Sequence, residues 1–482
     1  MSYLSVFKVC SKNCTSISYF FLISAYCLFL LRRISQKIAV VAVVFIAFSP
    51  SVLQGQSFPQ RPYVLVRGSD QIALLAKAQN YQSLYNQIPT SIYSSLGSVS
   101  SWKTARRVST ILAVSFRGWL ENNSYLKQAA KNAILAAVTP SNSSYIQPTA
   151  SAGYRVGSYP CALGAAFDMI YDVFSPSERQ TVISKLQEWV ITLMGNDPSV
   201  ASDLQVKVFF NNRSITTNIA AQKLNGVLCT SIAIGNDATP SFVAQITGMP
   251  GLNPPPPTFI EFIRILAEEV FFNFYRDYFN PDGSAEESVG YINYGPLASI
   301  YGIRAYLNSG LGTVDPIAGS NLLKTPRWLS LMFNYSTAKF FKPDDANDSH
   351  TGPGFDPVLY YLIDRAQDGE ALWGLDRIIQ RVGEQNYCAE QETHGFGCAL
   401  MRFLFYPESL SSIQPAIASG FFRDNLNPPS LNHRNQNFSG VGEGGEAIMH
   451  NSATASEKQM DLFVYVHDEF HMHGGANSRV YY

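Results

Sequence analysis

Apolar residues recur at helical spacing over most of the chain between about residues 70 and 420. The segments "SWKTARRVSTILAVSFRGWL" and "NNSYLKQAAKNAILAAV" each carry an apolar face of this kind, which predicts amphipathic helices. The next segment, "ALGAAFDMIYDVFSPSERQTVISKLQEWVITLM", predicts a helix that ends near Phe174. A second helix then begins at Ser175-Pro176-Ser177-Glu178, because proline is tolerated in a first helical turn.

The helical pattern continues through the middle of the chain. "TTNIAAQKLNGVLCTSIAIG" predicts a helix that ends at Gly235, and "PPPPTFIEFIRILAEEVFFNFYRDYF" predicts a long helix after a proline run. Shorter helical patterns follow at about 296–307, 323–335, 356–365 and 370–381. Consecutive helices without alternating strands favour antiparallel helix pairs over a βαβ architecture.

The pattern changes after about residue 425, where a polar linker, "NPPSLNHRNQNFSG", is followed by shorter apolar runs. "GEAIMHNSA", "MDLFVYVHDE" and "ANSRVYY" predict three successive strands. Three strands cannot bury both faces of a sheet. We therefore expect either that the sequence is a fragment truncated inside this β domain, or that the sheet needs a partner.

The first 56 residues have the character of a targeting segment. An apolar run at 17–31 is followed by Arg32 and Arg33, and a second run at 38–48 leads into small polar residues. This order predicts a secretory signal peptide with cleavage near residues 50–56. We expect a secreted protein; the alternative is a membrane anchor formed by residues 17–31.

Composition and charge narrow the function classes. The 482 residues are 46% hydrophobic and 15% charged, with a net charge of −1. This balance favours a globular protein and gives no overall positive field for nucleic acid, so we expect no nucleic-acid partner. Four cysteines follow the signal segment, and an oxidising compartment allows them to form disulfides: Cys161, Cys229, Cys388 and Cys398. Glycosylation is consistent with six sequons, which begin at Asn122, Asn142, Asn212, Asn334, Asn347 and Asn437.

Amides and phenols supply the first candidate chemistry. Asn218, Gln222 and Asn225 follow the i, i+4, i+7 pattern, which places their amides on one helix face; they either pair internally or face a cleft. In "NPDGSAEESVGYINYG", Glu287, Tyr291 and Tyr294 lie in a loop between helices. A tyrosine there can exchange a proton if its surroundings lower its pKa, although local packing is the simpler interpretation.

Histidines supply the second set of candidate functional residues. His350 ends "FKPDDANDSH", which read alone is an ordinary surface loop. In "FHMHGGANSRVYY", His471 and His473 would share one face of an extended strand. Two histidines on one face suggest a metal ligand, or a base beside a ligand.

Taken in order, these segments resemble the heparinase II/III-like polysaccharide lyases and their relative, dermatan-sulfate epimerase. The similar segments are "FDMIYDVFSPSERQTV", "PDGSAEESVGYINYG", "ANDSH" and "GGEAIMHNSATASEKQMDLFVYVHDEFHMHGGANSRVYY". The resemblance covers most of residues 100–482. It implies an incomplete (α/α) toroid over residues 57–424, followed by the start of an antiparallel β-sandwich over 425–482.

The resemblance also implies a reaction and roles for residues. The reaction is β-elimination in a uronic-acid polysaccharide, with no redox cofactor. Asn218 would hold the carboxylate, while Tyr291 and His471 would move the protons, with Tyr294 as the alternative to Tyr291. His473 would bind a structural zinc in the heparinase II-like branch, with no zinc required for the chemistry. Five residues would contact the substrate: Gln222, Asn225, Glu287, Tyr294 and His350.

Three departures separate this chain from parts of that family. Ile219 stands where the heparinase II and epimerase branch has a histidine, and Gly475 replaces the aspartate after His-x-His. In the tyrosine motif, Glu287-Ser288 stands where the family has Glu-Gly. We therefore expect a lyase acting on a glycosaminoglycan-type or alginate-type polymer. The alternatives are a uronate C5-epimerase and a carbohydrate-binding relative without catalysis. A glycoside hydrolase is disfavoured because Glu286 and Glu287 are adjacent and poorly arranged as an acid and base pair.

Overall fold

The computed structural model describes the backbone of most residues between Ser57 and Tyr481. It covers residues 57–95, 102–139, 157–195, 206–215, 217–279, 283–284, 292–334, 338–340, 357–383, 387 and 396–415, and four later strands at 419–423, 445–450, 461–466 and 478–481. The chain divides into two units, Met1–Ser57 and Phe58–Tyr482. All the elements below belong to the second unit.

The described part is mainly helical, as the sequence predicts. The first eight helices are α1 Gln71–Asn80, α2 Gln82–Tyr85, α3 Trp102–Leu120, α4 Ser124–Val138, α5 Ser158–Met169, α6 Pro176–Met194, α7 Val206–Asn212 and α8 Asn218–Ile234. The others are α9 Pro240–Thr247, α10 Phe259–Arg264, α11 Phe272–Asp277, α12 Ala298–Asn308, α13 Thr325–Leu331, α14 Val358–Ala366, α15 Gly369–Val382 and α16 Cys398–Phe405. π-Helical stretches at Ile265–Phe271 and Asn293–Leu297 lead into α11 and α12.

Local signals explain where several helices begin and end. Helix α6 starts as predicted, with Ser175 as its N-cap and Glu178 completing a capping box. Helix α8 begins after its N-cap, Thr217, and ends before Gly235, whose φ of 56° favours glycine. The helix before α6 was predicted to end near Phe174, and this prediction is wrong. Helix α5 ends at Met169, and a 3₁₀ turn, Tyr171–Val173, follows it.

Helices α5 and α8 run parallel and in close contact. A Cβ on Gly157 would lie 1.9 Å from the carbonyl oxygen of Gln222, and one on Gly164 would lie 2.7 Å from the Cβ of Ala233. The two contacts advance in the same direction along both helices. Between them, a disulfide joins Cys161 to Cys229, in agreement with the expectation that disulfides form. Cys398 is also disulfide-bonded; Cys388 lies outside the described residues.

Helix α12 extends this parallel set on the other side of α8. A Cβ on Gly295 would lie 2.5 Å from the Cα of Asn218. Two turns further along, the backbone N–H of Gly302 donates to Oδ1 of Asn225 at 2.7 Å. The N-terminal ends of α8 and α12 are therefore neighbours.

Helices α3 and α16 also run parallel to each other. A Cβ on Gly397 would lie 3.4 Å from the Cβ of Ser109, and the rings of Phe116 and Phe403 are 5.9 Å apart. Tyr301 of α12 stacks on Phe396, just before α16, at 3.8 Å. Short connections follow the C-terminal ends of α3, α5 and α8, at 121–123, 170–175 and 235–239.

A four-stranded antiparallel sheet follows the helices, and its strands are adjacent in the order in which they occur in the chain. An earlier two-stranded hairpin comprises β1 Phe333–Asn334 and β2 Lys339–Phe340; the sheet comprises β3 Ser419–Arg423, β4 Gly445–His450, β5 Asp461–Val466 and β6 Ser478–Tyr481. The last three strands match the predicted segments. Strand β3, the first strand of this sheet, was not predicted, and it lies before the expected domain boundary at residue 425.

Candidate functional site

Asn218 is the predicted site residue that the structure places most clearly. It is the first residue of α8 and is half-buried. The Oγ1 of Thr217 accepts a hydrogen bond from the backbone N–H of Ala220 at 3.2 Å. In a helix, the first N–H groups have no partner inside the helix, and the dipole makes that end positive. The Asn218 amide therefore lies at a position that favours a carboxylate.

The described end of the tyrosine-rich segment lies against Asn218. A Cβ on Gly295 would also come within 2.6 Å of the carbonyl oxygen of Asn218, so no larger residue fits there without a shift. Gly295 belongs to the π-helical stretch Asn293–Leu297, which contains Pro296. Proline removes a backbone donor, and π-helical turns occur often at functional sites.

Gln222 and Asn225 follow Asn218 into the interior of the helical domain. Both side chains belong to residues that are fully buried. The amide of Gln222 has no hydrogen-bond partner at either Oε1 or Nε2 among the described residues, whereas Asn225 lacks one only at Nδ2. The Oγ of Ser158, at the start of α5, is also buried without a partner there.

Buried polar atoms without partners are rare in folded proteins and need an explanation. Those of Gln222 and Ser158 lie in the first turns of α5 and α8, which adjoin each other at Gly157 and Gln222; others are spread over the described residues, as at Thr230 and Ser231. An ordered water or a ligand group that reaches this end would satisfy those of Gln222 and Ser158. Asn225 differs because its Oδ1 already serves the contact with α12.

The other predicted site residues lie outside what the structure describes. This applies to Glu287, Tyr291, His350, His471 and His473, and to the side chain of Tyr294. Their sequence positions still relate them to described elements. Tyr291 immediately precedes Ile292 and the π-helical stretch that touches Asn218, while His471 and His473 fall between the paired strands β5 and β6.

The opposite ends of the same helices hold a cavity of about 750 Å³, which the sequence did not predict. Trp119 near the end of α3, Met169 at the end of α5 and Asn236 after α8 all line it. Helix α8 has 17 residues, so the cavity lies about 25 Å along the helix axis from Asn218 at about 1.5 Å per residue.

Salt bridges and hydrogen bonds of Arg61 join the elements at this opposite end. Arg61 donates to Asp168 at 2.8 Å and to Asp237 at 3.0 Å, and its guanidinium also donates to the carbonyl oxygens of Ala233 and Ile234 at the end of α8. Asp168 is fully buried. Burial raises the pKa of the Asp168 carboxyl, and the Arg61 guanidinium with two backbone N–H groups opposes that rise. The only sequence signal was a single arginine between the prolines of "FPQRPYVLV".

Comparison with known proteins adds no family to this description. No family model matches the chain, and no curated protein matches it significantly. Within the described residues, no group of three or more histidine, cysteine, aspartate or glutamate side chains is arranged to hold a metal ion. The helices described there include none with both the length and the apolar character needed to cross a membrane.

Proposed function

We propose that this protein is a polysaccharide lyase that cleaves a uronic-acid polymer by β-elimination. The observation that carries the proposal is the contact between Gly295 and Asn218. The tyrosine-rich segment that resembles the lyase family ends at Gly295, and it meets Asn218, the residue that matches the family's carboxylate-binding asparagine, at one end of the parallel helices. An amide donor and the tyrosine segment are thereby neighbours.

The arrangement of helices supports a toroid for the helical domain. Helices α5, α8 and α12 run parallel to one another, and α6 and α10–α11 lie between them in the chain. This alternation is what inner and outer helices of an (α/α) toroid would give. The four antiparallel strands after residue 418 are compatible with the start of a β-sandwich that carries the histidine segment.

In the proposed reaction, the Asn218 amide donates hydrogen bonds to the uronate carboxylate. These bonds strengthen as the proton leaves the adjacent carbon and negative charge moves onto the carboxylate. His471 accepts that proton, the bond from the neighbouring carbon to the glycosidic oxygen breaks, and Tyr291 protonates the departing oxygen. The products are an unsaturated uronate and a new sugar hydroxyl.

The test is to incubate the full chain with hyaluronan, chondroitin sulfate, dermatan sulfate, heparan sulfate and alginate in turn. We expect the ultraviolet absorbance of an unsaturated uronate to grow with at least one polymer, and to stay absent with the variant Tyr291→Phe. Solvent deuterium in the polymer without chain cleavage would instead favour the epimerase. If none of these polymers gives either the absorbance or the deuterium incorporation, the proposal is wrong.

A further inference from the structure

The cavity at the C-terminal ends of α3, α5 and α8 has no role in the proposed reaction. Its volume of about 750 Å³ falls within the range of roughly 300–1,000 Å³ that is usual for small-molecule sites. Its walls combine Trp119 and Tyr171 with amides such as Gln60 and Asn122. Such a mixture of rings and hydrogen-bonding groups suits a polar ligand with an apolar face.

Three carboxylates and three cations line the cavity, but they are not paired one to one. Arg61 binds both Asp168 and Asp237. Lys127 binds Asp172 at 3.2 Å. All three carboxylates are thus taken by two cations, and the third cation, Arg179, is left over.

Arg179 has no counter-ion in the described part of the chain. Its guanidinium carbon lies 4.1 Å from the centre of the Tyr171 ring, while Arg61 lies 4.6 Å from the centre of that ring. The Nε of Arg179 is shielded from solvent and has no hydrogen-bond partner among the residues that the structure describes. A guanidinium normally makes several hydrogen bonds and pairs well with planar oxyanions.

We propose that this cavity binds an oxyanionic ligand of about monosaccharide or disaccharide size, with Arg179 as its ionic partner. The ligand supplies a carboxylate or a sulfate, which are equivalent for a guanidinium. The remaining surface of the ligand faces Trp119 and the neutral amides. The site is separate from Asn218, so it neither needs nor supports the proposed lyase chemistry.

The test measures binding to the full chain by calorimetry with three probes: glucuronate, glucose and inorganic sulfate. We expect glucuronate and sulfate to bind and glucose to bind at least tenfold more weakly, since only the first two carry an oxyanion. If glucuronate binds more tightly than sulfate, the preferred ligand is a sugar acid. If the two affinities are equal, the cavity recognises a free oxyanion. Glucose binding as well as glucuronate would overturn the proposal.

The key variant is Arg179→Gln, for which we expect glucuronate affinity to fall by about tenfold or more. The matched control is Arg276→Gln, because Arg276 is 58% exposed, pairs with Asp277 and is outside the cavity; it should change nothing. Because the proposed catalytic end would also bind a uronate carboxylate, the comparison is repeated in the Asn218→Ala background, where Arg179→Gln should lower glucuronate affinity by the same factor. Unchanged affinity in a folded Arg179→Gln protein would overturn the assignment.

A second measurement avoids the loss of the Tyr171 contact that Arg179→Gln entails. Phenylglyoxal modifies accessible arginines, and mass spectrometry locates the product. We expect glucuronate to protect Arg179 but not Arg276; equal modification of Arg179 with and without glucuronate would contradict the site.

Because Asn122 begins a sequon and lines the cavity, the same binding is measured with Ser124→Ala, which removes the sequon. Binding in either form supports the site.

Discussion

The two ends of helices α5 and α8 satisfy their polar groups in opposite ways. At the C-terminal ends, Asp168 accepts hydrogen bonds from Arg61 and from the backbone N–H groups of Tyr63 and Val64, at 2.7–2.8 Å. At the N-terminal ends, Gln222 and Ser158 have buried polar atoms with no partner among the described residues. The Asp168 carboxylate is therefore fully paired at one end, whereas the Gln222 amide at the other end is not; the hydroxyls of Thr230 and Ser231, further along α8, also lack a partner among the described residues.

This difference suggests a division of labour along the helices. A buried network whose members are all paired makes the structure rigid, while unpaired buried groups cost stability and persist where something else uses them. The Arg61–Asp168 pair therefore serves structural integrity, while the unpaired Gln222 amide fits the substrate contact that we propose for the Asn218 end. Three tests on these helices break or sharpen that comparison, and a fourth examines Glu268 elsewhere in the helical domain.

The largest effect should come from Asp168→Ala. The change leaves Arg61 short of a partner and two buried backbone N–H groups without an acceptor, so we expect a loss of about 3–5 kcal/mol in the free energy of unfolding. Urea denaturation measures it. Asp172→Ala is the control, since that side chain is 66% exposed and its pair with Lys127 should contribute under about 1 kcal/mol. Equal losses in the two variants would contradict a structural role specific to Asp168.

The second effect concerns activity instead of stability. Asn218→Ala removes the proposed carboxylate donor, and we expect kcat to fall by about 10²–10³-fold, as for other donors to a developing anion. The thermal midpoint should hardly change, because the half-buried Asn218 side chain makes no hydrogen bond within the described part of the chain. A large fall in the midpoint with unaltered kcat would place Asn218 with the structural end.

The third test compares two buried amides on the same helix. Gln222→Leu replaces an amide that has no partner at either atom within the described parts of the chain, so we expect a gain of about 1 kcal/mol in unfolding free energy together with weaker substrate binding. Asn225→Leu removes the acceptor of the Gly302 N–H and should cost about 1–3 kcal/mol. Denaturation and KM are measured for both. A loss of stability in Gln222→Leu would mean that its amide is already satisfied, for example by an ordered water.

The same contrast explains what the sequence could predict. Helix limits were predictable where the signal is local: Ser175 and Glu178 cap α6, and Gly235 follows α8. The salt bridge between Arg61 and Asp168 was not predictable, because the two residues are 107 positions apart and neither belongs to a recognisable motif. Strand β3 was missed for a similar reason, since "SGFFR" becomes a strand by pairing with Gly445–Met449.

The candidate site was predictable in part. The amide spacing placed Asn218, Gln222 and Asn225 on one helix correctly. It did not show that Asn225 serves the contact with α12, which depends on the backbone of Gly302. Nor did it predict the π-helical stretch that brings Gly295 onto Asn218, because that contact joins two helices distant in the chain.

The smallest effect should appear at Glu268, on the π-helical stretch before α11. Burial alone would raise its pKa, but hydrogen bonds from Tyr306, Thr313 and Val314 outweigh burial and lower the pKa below the ordinary 4.5. Its contribution to stability is therefore complete above pH 4.5 and disappears as the pH falls through the lowered value in the folded protein. We expect Glu268→Gln to cost under about 1 kcal/mol at neutral pH, since Glu268 is only partly buried and solvent weakens the interactions of its charge.

The check on Glu268 is the pH dependence of unfolding, followed by urea denaturation from neutral pH down to about pH 3. The difference between wild type and Glu268→Gln should shrink as the acid limb is reached. Glu261→Gln is the control, because Glu261 is 39% exposed and lies 3.9 Å from Arg264; it should give a nearly parallel curve. A difference that grows at low pH would reverse the sign argued for Glu268. The loop at Thr313 would then be held by something other than this carboxylate.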